Sequence, residues 1–386
     1  MAGSRRNYGI VAGLLVVLAI GALVLPSALW ACGLAALLGL AGVVLLRGNR
    51  WRTGALLAAA VAVSLGLLDA VAGLLSPTPQ GQGLVKMTDP KWWPPPDPVL
   101  GFRPVPNSEV IATATFGAEL IYRHTYRFDR SAARVTPAGP DGADTYLFLG
   151  DSFIFGQGLV DDQSLAAQFA KANDYKVRTV NLGVPGYGPN HLVRAFEAGL
   201  LDRYADQPVK AVVSWIIPAQ LARVTGDGSW LGSSPRYALE NGVLLHTGSF
   251  DDYRWAHPIA GLKHLLGEQF LFVDAIGMRQ RQDEQADLFV ALLARLQVLA
   301  REKFGAPLIV VYSWPDETSQ DGYGASSGFL VTVLNRLRKL GIPLVSVDSL
   351  TNNINVSLLL IPHDGHPTAY TYELIAGELT RRLKAP

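Results

Sequence analysis

The sequence predicts an α/β protein, with a mostly parallel five-stranded sheet and helices on both faces, behind three apolar transmembrane helices. Three observations predict it. From Thr145 to the C-terminus, short apolar runs alternate with helical patterns. Three long apolar runs fill the first 75 residues. The 386 residues are 49% hydrophobic and only 17% charged, against ~25% charged in typical soluble domains.

The anchor comes first. Tyr8–Leu25, Ala28–Leu46 and Gly54–Leu75 are each close to the ~20 residues that span a hydrocarbon core. Pro26 and Ser27 form a tight turn between the first two, and Asp69 lies toward the far end of the third. Arg5 and Arg6 precede the first run, and Arg47, Arg50 and Arg52 lie between the second and third. Basic residues stay on the cytoplasmic side. The expectation is therefore a multi-pass inner-membrane anchor (1–75) with a cytoplasmic N-terminus and everything after about residue 76 in a bacterial periplasm. A lipoprotein signal ending at Cys32 fits less well, because the sequence after Cys32 stays apolar.

Residues 76–107 are rich in Pro and Gly, with Pro94-Pro95-Pro96 at the centre, and read as an extended linker. Trp92 and Trp93 suit either a membrane interface or packing on the domain. The outer domain is expected over 108–386. It opens with a hairpin of Glu109–Phe116 and Glu119–Phe128 around Gly117. Buried strands are expected at Thr145–Leu149, Val177–Leu182, Val209–Ile217, Pro307–Tyr312 and Pro343–Val347, each short and apolar as a strand covered on both faces should be. Helices are expected at Ser164–Asn173, His191–Tyr204, Asp283–Phe304, Phe329–Leu340 and Thr368–Leu383. An irregular insertion runs from about 219 to 280.

Composition excludes several functions. Lys plus Arg total 33 and Asp plus Glu 32, whereas a nucleic-acid binder carries a basic footprint. Cys32 alone excludes an intrachain disulfide and a multi-cysteine metal site. No cofactor is expected.

Two segments carry chemistry. Gly150-Asp151-Ser152 follows the first sheet strand, and ligands of open parallel sheets sit at the carboxyl ends of strands. Ser152 is there a candidate nucleophile whose own N–H can help hold an oxyanion; the plainer reading is a helix cap. His363-Asp364-Gly365-His366-Pro367 follows the last strand. A serine hydroxyl needs an imidazole as base, and the imidazole needs an acceptor to fix its tautomer. Asp364 and His366 supply both in one loop. An exposed turn or a zinc site is the alternative there, but no further ligand cluster is visible.

Together these segments resemble the SGNH hydrolases, also called the GDSL esterase/lipase family, over about Thr145 to Leu383. The first family block is matched by Gly150-Asp151-Ser152 with Phe153, Gly156, Gly158 and Leu159. The second resembles Asn181-Leu182-Gly183-Val184-Pro185-Gly186-Tyr187-Gly188, and the last Asp364-Gly365-His366-Pro367, with Asp-x-His in place of the usual Asp-x-x-His. The resemblance implies a flavodoxin-like three-layer α/β/α domain. It also implies Ser152 as nucleophile, His366 as base, Asp364 as its orienter, and the N–H groups of Ser152 and Gly186 as oxyanion donors. The family's Gly-x-Asn-Asp block has no counterpart in Ser214-Trp215-Ile216-Ile217-Pro218-Ala219-Gln220. Gln220 and Asn190 are the candidates for a third donor.

The expected activity is that of a membrane-anchored periplasmic serine esterase acting on acyl, chiefly acetyl, esters of a carbohydrate. The same residues would serve an O-acyltransferase. The missing Asn would suit a catalytically weak scaffold subunit of envelope polysaccharide assembly, and an apolar cover at 219–280 would suit lipid esters. Expected partners are the ester substrate, inner-membrane lipid and envelope polysaccharide machinery.

Overall fold

The computed structural model describes residues 28–46, 48–75, 83–91, 93–137, 139–140, 142–269, 282–313 and 327–384. They fall into two compact units, Met1–Thr78 with His257–Gln280, and Pro79–Ala256 with Arg281–Pro386.

The first unit contains a helical hairpin, α1 (Ala28–Leu45) and α2 (Asn49–Leu75). Small residues let the two backbones approach closely: a Cβ at Gly39 would lie 2.8 Å from that of Ala59. Such interfaces are favoured where lipid removes the hydrophobic drive for helix association. Cys32 is buried against Gly66. Within α2, Asn49–Ala72 is long and apolar enough to cross a membrane, whereas the apolar stretch of α1, Cys32–Leu45, is shorter. The described residues thus hold one helix of spanning length where the sequence leads one to expect two. The chain turns between the two helices at Gly48, whose φ is 111°. The first expected span, Tyr8–Leu25, lies outside the described residues.

In the second unit an antiparallel sheet is formed by β1 (Leu84–Asp89), β2 (Glu109–Phe116) and β3 (Glu119–Arg127), in the order β1-β2-β3. The expected linker is therefore partly folded. Its Leu84–Asp89 pairs along β2, and Pro96–Asp97 pairs with Gly101–Phe102. Trp93 packs on the domain, its ring 5.4 Å from that of Phe128 and 5.7 Å from that of Phe155; Trp92 is outside the described residues.

The central sheet comprises β4 (Thr145–Gly150), β5 (Arg178–Gly183), β6 (Val209–Ile216), β9 (Leu308–Tyr312) and β10 (Leu344–Ser346), all parallel, in the order β10-β9-β6-β4-β5. The intervening β7 (Pro235–Glu240) and β8 (Val243–Ser249) form a separate hairpin. Numbered within the sheet the order is 2-1-3-4-5, the flavodoxin-like arrangement, whose switch point lies between its first and third strands.

Alternate residues of each strand point to opposite faces. Accordingly Leu147 and Leu149 join one core with Val212, Val310 and Leu296, while Tyr146 and Phe148 join another with Val213, Val311 and Tyr372. The first core is closed by α5 (Pro189–Glu197), α9 (Gln282–Phe304) and α10 (Ser327–Lys339). The second is closed by α4 (Leu165–Ala172), α13 (Ala369–Lys384) and the antiparallel sheet; the short α11 (Val347–Thr351) and α12 (Val356–Leu359) precede α13. The insertion after β6 holds α6 (Ala219–Arg223), the β7–β8 hairpin and α7 (Phe250–Ala256) in this unit and plants Leu231, Tyr237 and Phe250 in buried positions; its α8 (Pro258–Gln269) belongs to the first unit. Its residues 270–281 are outside the described set.

Arg134 has the strongest polar anchorage in this unit. Its side chain is fully buried between the rings of Tyr126 and Phe155, each 4.5 Å away. It donates to Asp161 (3.0 Å) and to the carbonyls of Phe155 (2.6 Å), Gly156 (2.8 Å) and Leu159 (2.5 Å). Removing one partner of a buried ion pair leaves the other uncompensated, at a cost of about 3–5 kcal/mol. Arg134→Ala should therefore lower stability by about that amount, and Arg134→Lys, which cannot span four acceptors in a plane, by more than half of it. Thermal melts of the detergent-solubilised chain would check both, and a change within about 0.5 kcal/mol would refute the role, being no more than an ordinary surface substitution.

Candidate active site

The loop after β4 opens directly into α3 (Ser152–Phe155). Asp151 caps it, its Oδ1 accepting the Phe153 N–H at 3.0 Å. This places Ser152 at the carboxyl end of the sheet's first strand, beside the switch point. Phe153 wedges the short helix in place. Its ring meets Trp215 edge-on at 5.4 Å and His366 at 5.1 Å, and its carbonyl accepts the Tyr372 hydroxyl at 2.7 Å.

The base comes from the opposite end of the chain. Before α13, the backbone doubles back so that Ile361 N–H donates to the His366 carbonyl (2.8 Å) and Thr368 N–H to Leu359 (2.9 Å). Asp364 and His366 then meet side by side, Nδ1 of His366 lying 2.8 Å from Oδ1 of Asp364. With Nδ1 so engaged, Nε2 is the atom left to exchange a proton with a hydroxyl. His363 turns away; its backbone takes φ 60° and its ring stacks on Phe116 at 3.9 Å. Among the described residues, no group of three His, Cys, Asp or Glu could hold a metal ion.

Lys86 of β1 also donates to Oδ1 of Asp364. Burial opposes ionisation of this carboxyl, but the hydrogen bonds and charges of His366 and Lys86 outweigh it and hold the group down at about 2, from an ordinary 3.8.

The predicted oxyanion residues are distributed differently from expectation. Gly186 sits in the loop after β5 with φ 91°, a conformation costly for residues with a side chain, and a Cβ there would lie 3.1 Å from the indole nitrogen of half-exposed Trp230. Gln220 does not offer a donor to that region. Its Nε2 donates to Oδ2 of Asp151 (2.9 Å) and to the Trp215 carbonyl (3.1 Å), so both amide hydrogens are committed. Asn190 is fully buried on α5 and donates to the Pro235 carbonyl (2.8 Å), which ties it to the β7–β8 hairpin. The longer arm of Gln220 is thus held by two partners.

Arg223 was not singled out by the sequence. One of its nitrogens, Nη1, donates to Oδ2 of Asp151 (2.7 Å) and to the Tyr187 carbonyl (2.8 Å). It thereby ties the Ser152 loop to the Gly186 loop. These loops also meet at Gly183, where a Cβ would lie 2.3 Å from the Phe155 nitrogen, so no larger residue fits. Close behind, His191 is fully buried. Burial and the Arg223 charge push it down to about 3, so it is neutral, and its Nδ1 accepts the Gly188 N–H at 3.1 Å.

No family model and no curated protein matches this chain. Solved structures do. They include a protein from Desulfitobacterium hafniense assigned to the lipolytic G-D-S-L family (14% identity, TM-score 0.36, 62% of this chain and 98% of that one). An acetylxylan esterase from Geobacillus stearothermophilus matches at 15% identity and TM-score 0.35, over 65% of this chain and 98% of its own. A psychrotrophic esterase from a Pseudoalteromonas species matches at 14% and 0.36, over 62% and 97%.

The lowered Asp364 carboxyl gives a prediction with a definite sign. Its folded value lies below its ordinary one, so its contribution to stability is present above about pH 4 and is lost as pH falls through about 2. The gap in melting temperature between wild type and Asp364→Asn should therefore narrow between pH 6 and pH 3. A gap that stays constant or widens would show that the carboxylate is not favoured by its surroundings.

Proposed function

We propose that this chain is a membrane-anchored serine esterase that removes acyl groups from a carbohydrate, with Ser152 as nucleophile. One observation carries the reading: the loop after the first strand sets Ser152 next to Phe153, and the ring of Phe153 lies against His366, itself bonded to Asp364. A hydroxyl at a switch point, an imidazole and a buried carboxylate are the parts that acyl transfer through serine requires.

The steps follow from the parts. Nε2 of His366 takes the Ser152 proton as Oγ bonds to the ester carbonyl carbon. The carbonyl oxygen becomes an oxyanion held by the backbone N–H groups of Ser152 and Gly186. The alcohol leaves with the proton from His366, and an acyl-serine remains. Water, deprotonated by the same imidazole, releases the acid and restores Ser152. Each oxyanion donor contributes on the order of 10²–10³ in rate. With Gln220 committed to Asp151, two backbone donors carry that load, and Arg223 ties their loops together through Asp151 and the Tyr187 carbonyl. The indole of Trp230 beside Gly186 offers the aromatic face on which a sugar ring can rest, which supports a carbohydrate ester as substrate.

The anchor is proposed as three spans with a cytoplasmic N-terminus and a periplasmic domain. The arginines around the apolar runs and the spanning length of α2 support this. Reporter fusions should then read cytoplasmic at residue 50 and external at residue 120, and a cytoplasmic signal at residue 120 would overturn the orientation.

A fluorophosphonate should label the detergent-solubilised chain covalently, and Ser152→Ala should abolish labelling while the melting temperature stays within a few degrees. Undiminished labelling of the variant would move the nucleophile elsewhere. Failure of the wild type to label would remove the esterase reading.

A further inference from the structure

The geometry points to Lys86 as a positioning residue of the site: from strand β1 its ammonium shares one oxygen of Asp364 with His366, fixing the carboxylate and offsetting part of the charge the imidazole meets. This inference rests on the esterase reading above.

The placement follows from register. Lys86 pairs with Ala114 of β2, and Ala114 pairs with Tyr122 of β3. Directly paired residues share a face, so all three side chains point to the same side of the antiparallel sheet. Ala114 in the middle is fully buried and small. It leaves room for the longer arms on either side to reach over the 361–366 loop. Lys86 is about one-third exposed, whereas Asp364 is fully covered. The lysine therefore brings a charge from the solvent edge onto a buried carboxylate. Its stem can lie along the sheet while its head makes the bond.

A second cation on this oxygen has a definite effect. A carboxylate beside an imidazole favours the imidazolium. Lys86 offsets part of that negative charge, and removing it leaves the carboxylate to act on the imidazole alone. The lysine also removes freedom from the carboxylate, whose Oδ2 has no partner among the described residues.

Other groups face the pair, and none supplies the same charge. From β3, the Tyr122 phenol hydrogen-bonds Asp364, while the Tyr126 hydroxyl accepts the Gly158 N–H at 2.9 Å; burial above all pushes both phenols up, so they stay neutral. Tyr372 of α13 is likewise pushed up by burial. His124, stacked on Tyr122 at 5.8 Å, is pushed down by burial and by the charge of Arg134. His363 on the same loop stacks on Phe116 of β2. Arg134 is committed to Asp161 and three carbonyls. Lys86 is the cation in direct contact.

The test is the pH dependence of fluorophosphonate labelling at Ser152, measured on the full-length chain in detergent for wild type, Lys86→Gln, Lys86→Met and Lys86→Arg. The readout needs no knowledge of the natural ester. The acid limb of the neutral variants should move upward by about one pH unit, as expected when one charge is removed within ~4–6 Å. Lys86→Arg should keep the limb within about 0.3 unit of wild type, since the charge is retained. A merely structural role would lower the melting temperature and the labelling amplitude without displacing the limb. Neutral variants whose limb stays with wild type, or a limb that moves downward, would overturn the inference while leaving Ser152 as nucleophile. If wild type fails to label at all, the esterase reading falls first, and this inference with it.

Discussion

The candidate site depends on one buried cation. Arg134 holds the end of α3 and the turn after it by three carbonyl oxygens, those of Phe155, Gly156 and Leu159. Those carbonyls end a four-residue helix that could not persist alone, since an isolated helix this short has no stability in water. The arginine's own backbone pairs with Asn181 of β5, and the Asn181 side chain reaches the same Phe155 carbonyl at 3.2 Å. The position of Ser152 is thus fixed from behind by groups that never approach a substrate. The guanidinium suits this task because its planar fork presents several donors at once. Asp161 balances its charge, which burial would otherwise make too costly to keep.

A second layer of polar contacts holds the loop that carries Ser152. Asp151 is fully buried, and its Oδ2 receives both Gln220 and Arg223. Arg223 extends to the Tyr187 carbonyl, one residue beyond Gly186. Hydrogen bonds in such a network act inside a low dielectric, where a charged donor is worth more than in water. The same fact makes the network unforgiving, because loss of Arg223 would leave the Asp151 carboxylate with the Gln220 amide and no cation.

Much of the fold was legible in the sequence. Thr145–Gly150 is buried at every position and Leu308–Tyr312 at all but the last, so both read as short, mainly apolar runs. Helices such as Gln282–Phe304 announce themselves by length and periodicity. β1 was missed for the opposite reason. Leu84–Asp89 is mostly exposed, shows little apolar alternation and follows a Pro- and Gly-rich stretch, so it reads as linker. In the candidate site, Ser152, Asp364 and His366 were legible because short local patterns carry them. Lys86, Arg134 and Arg223 were not. Each meets its partner across a long gap in sequence, 278 residues for Lys86 and Asp364, and nothing local distinguishes a buried arginine from a solvated one. Gln220 was found in the right place but given the wrong neighbour, because sequence position fixes which strand end a side chain leaves, and the direction it takes is set by packing.

The pairing of β1 along β2 bears on where the outer domain can be cut. A fragment starting at Glu109, where the hairpin begins, would look complete by its strand signals. It would lack the strand that covers one flank of β2, whose register runs unbroken from Leu84 opposite Phe116 to Asp89 opposite Ile111. The middle strand of a three-stranded sheet would become an edge. Unpaired N–H and C=O groups in a row invite a strand from another molecule, and Val110, Ala112 and Ala114 give that edge an apolar face. Self-association of such a fragment would then reflect where it was cut, and would say nothing about how the intact protein assembles.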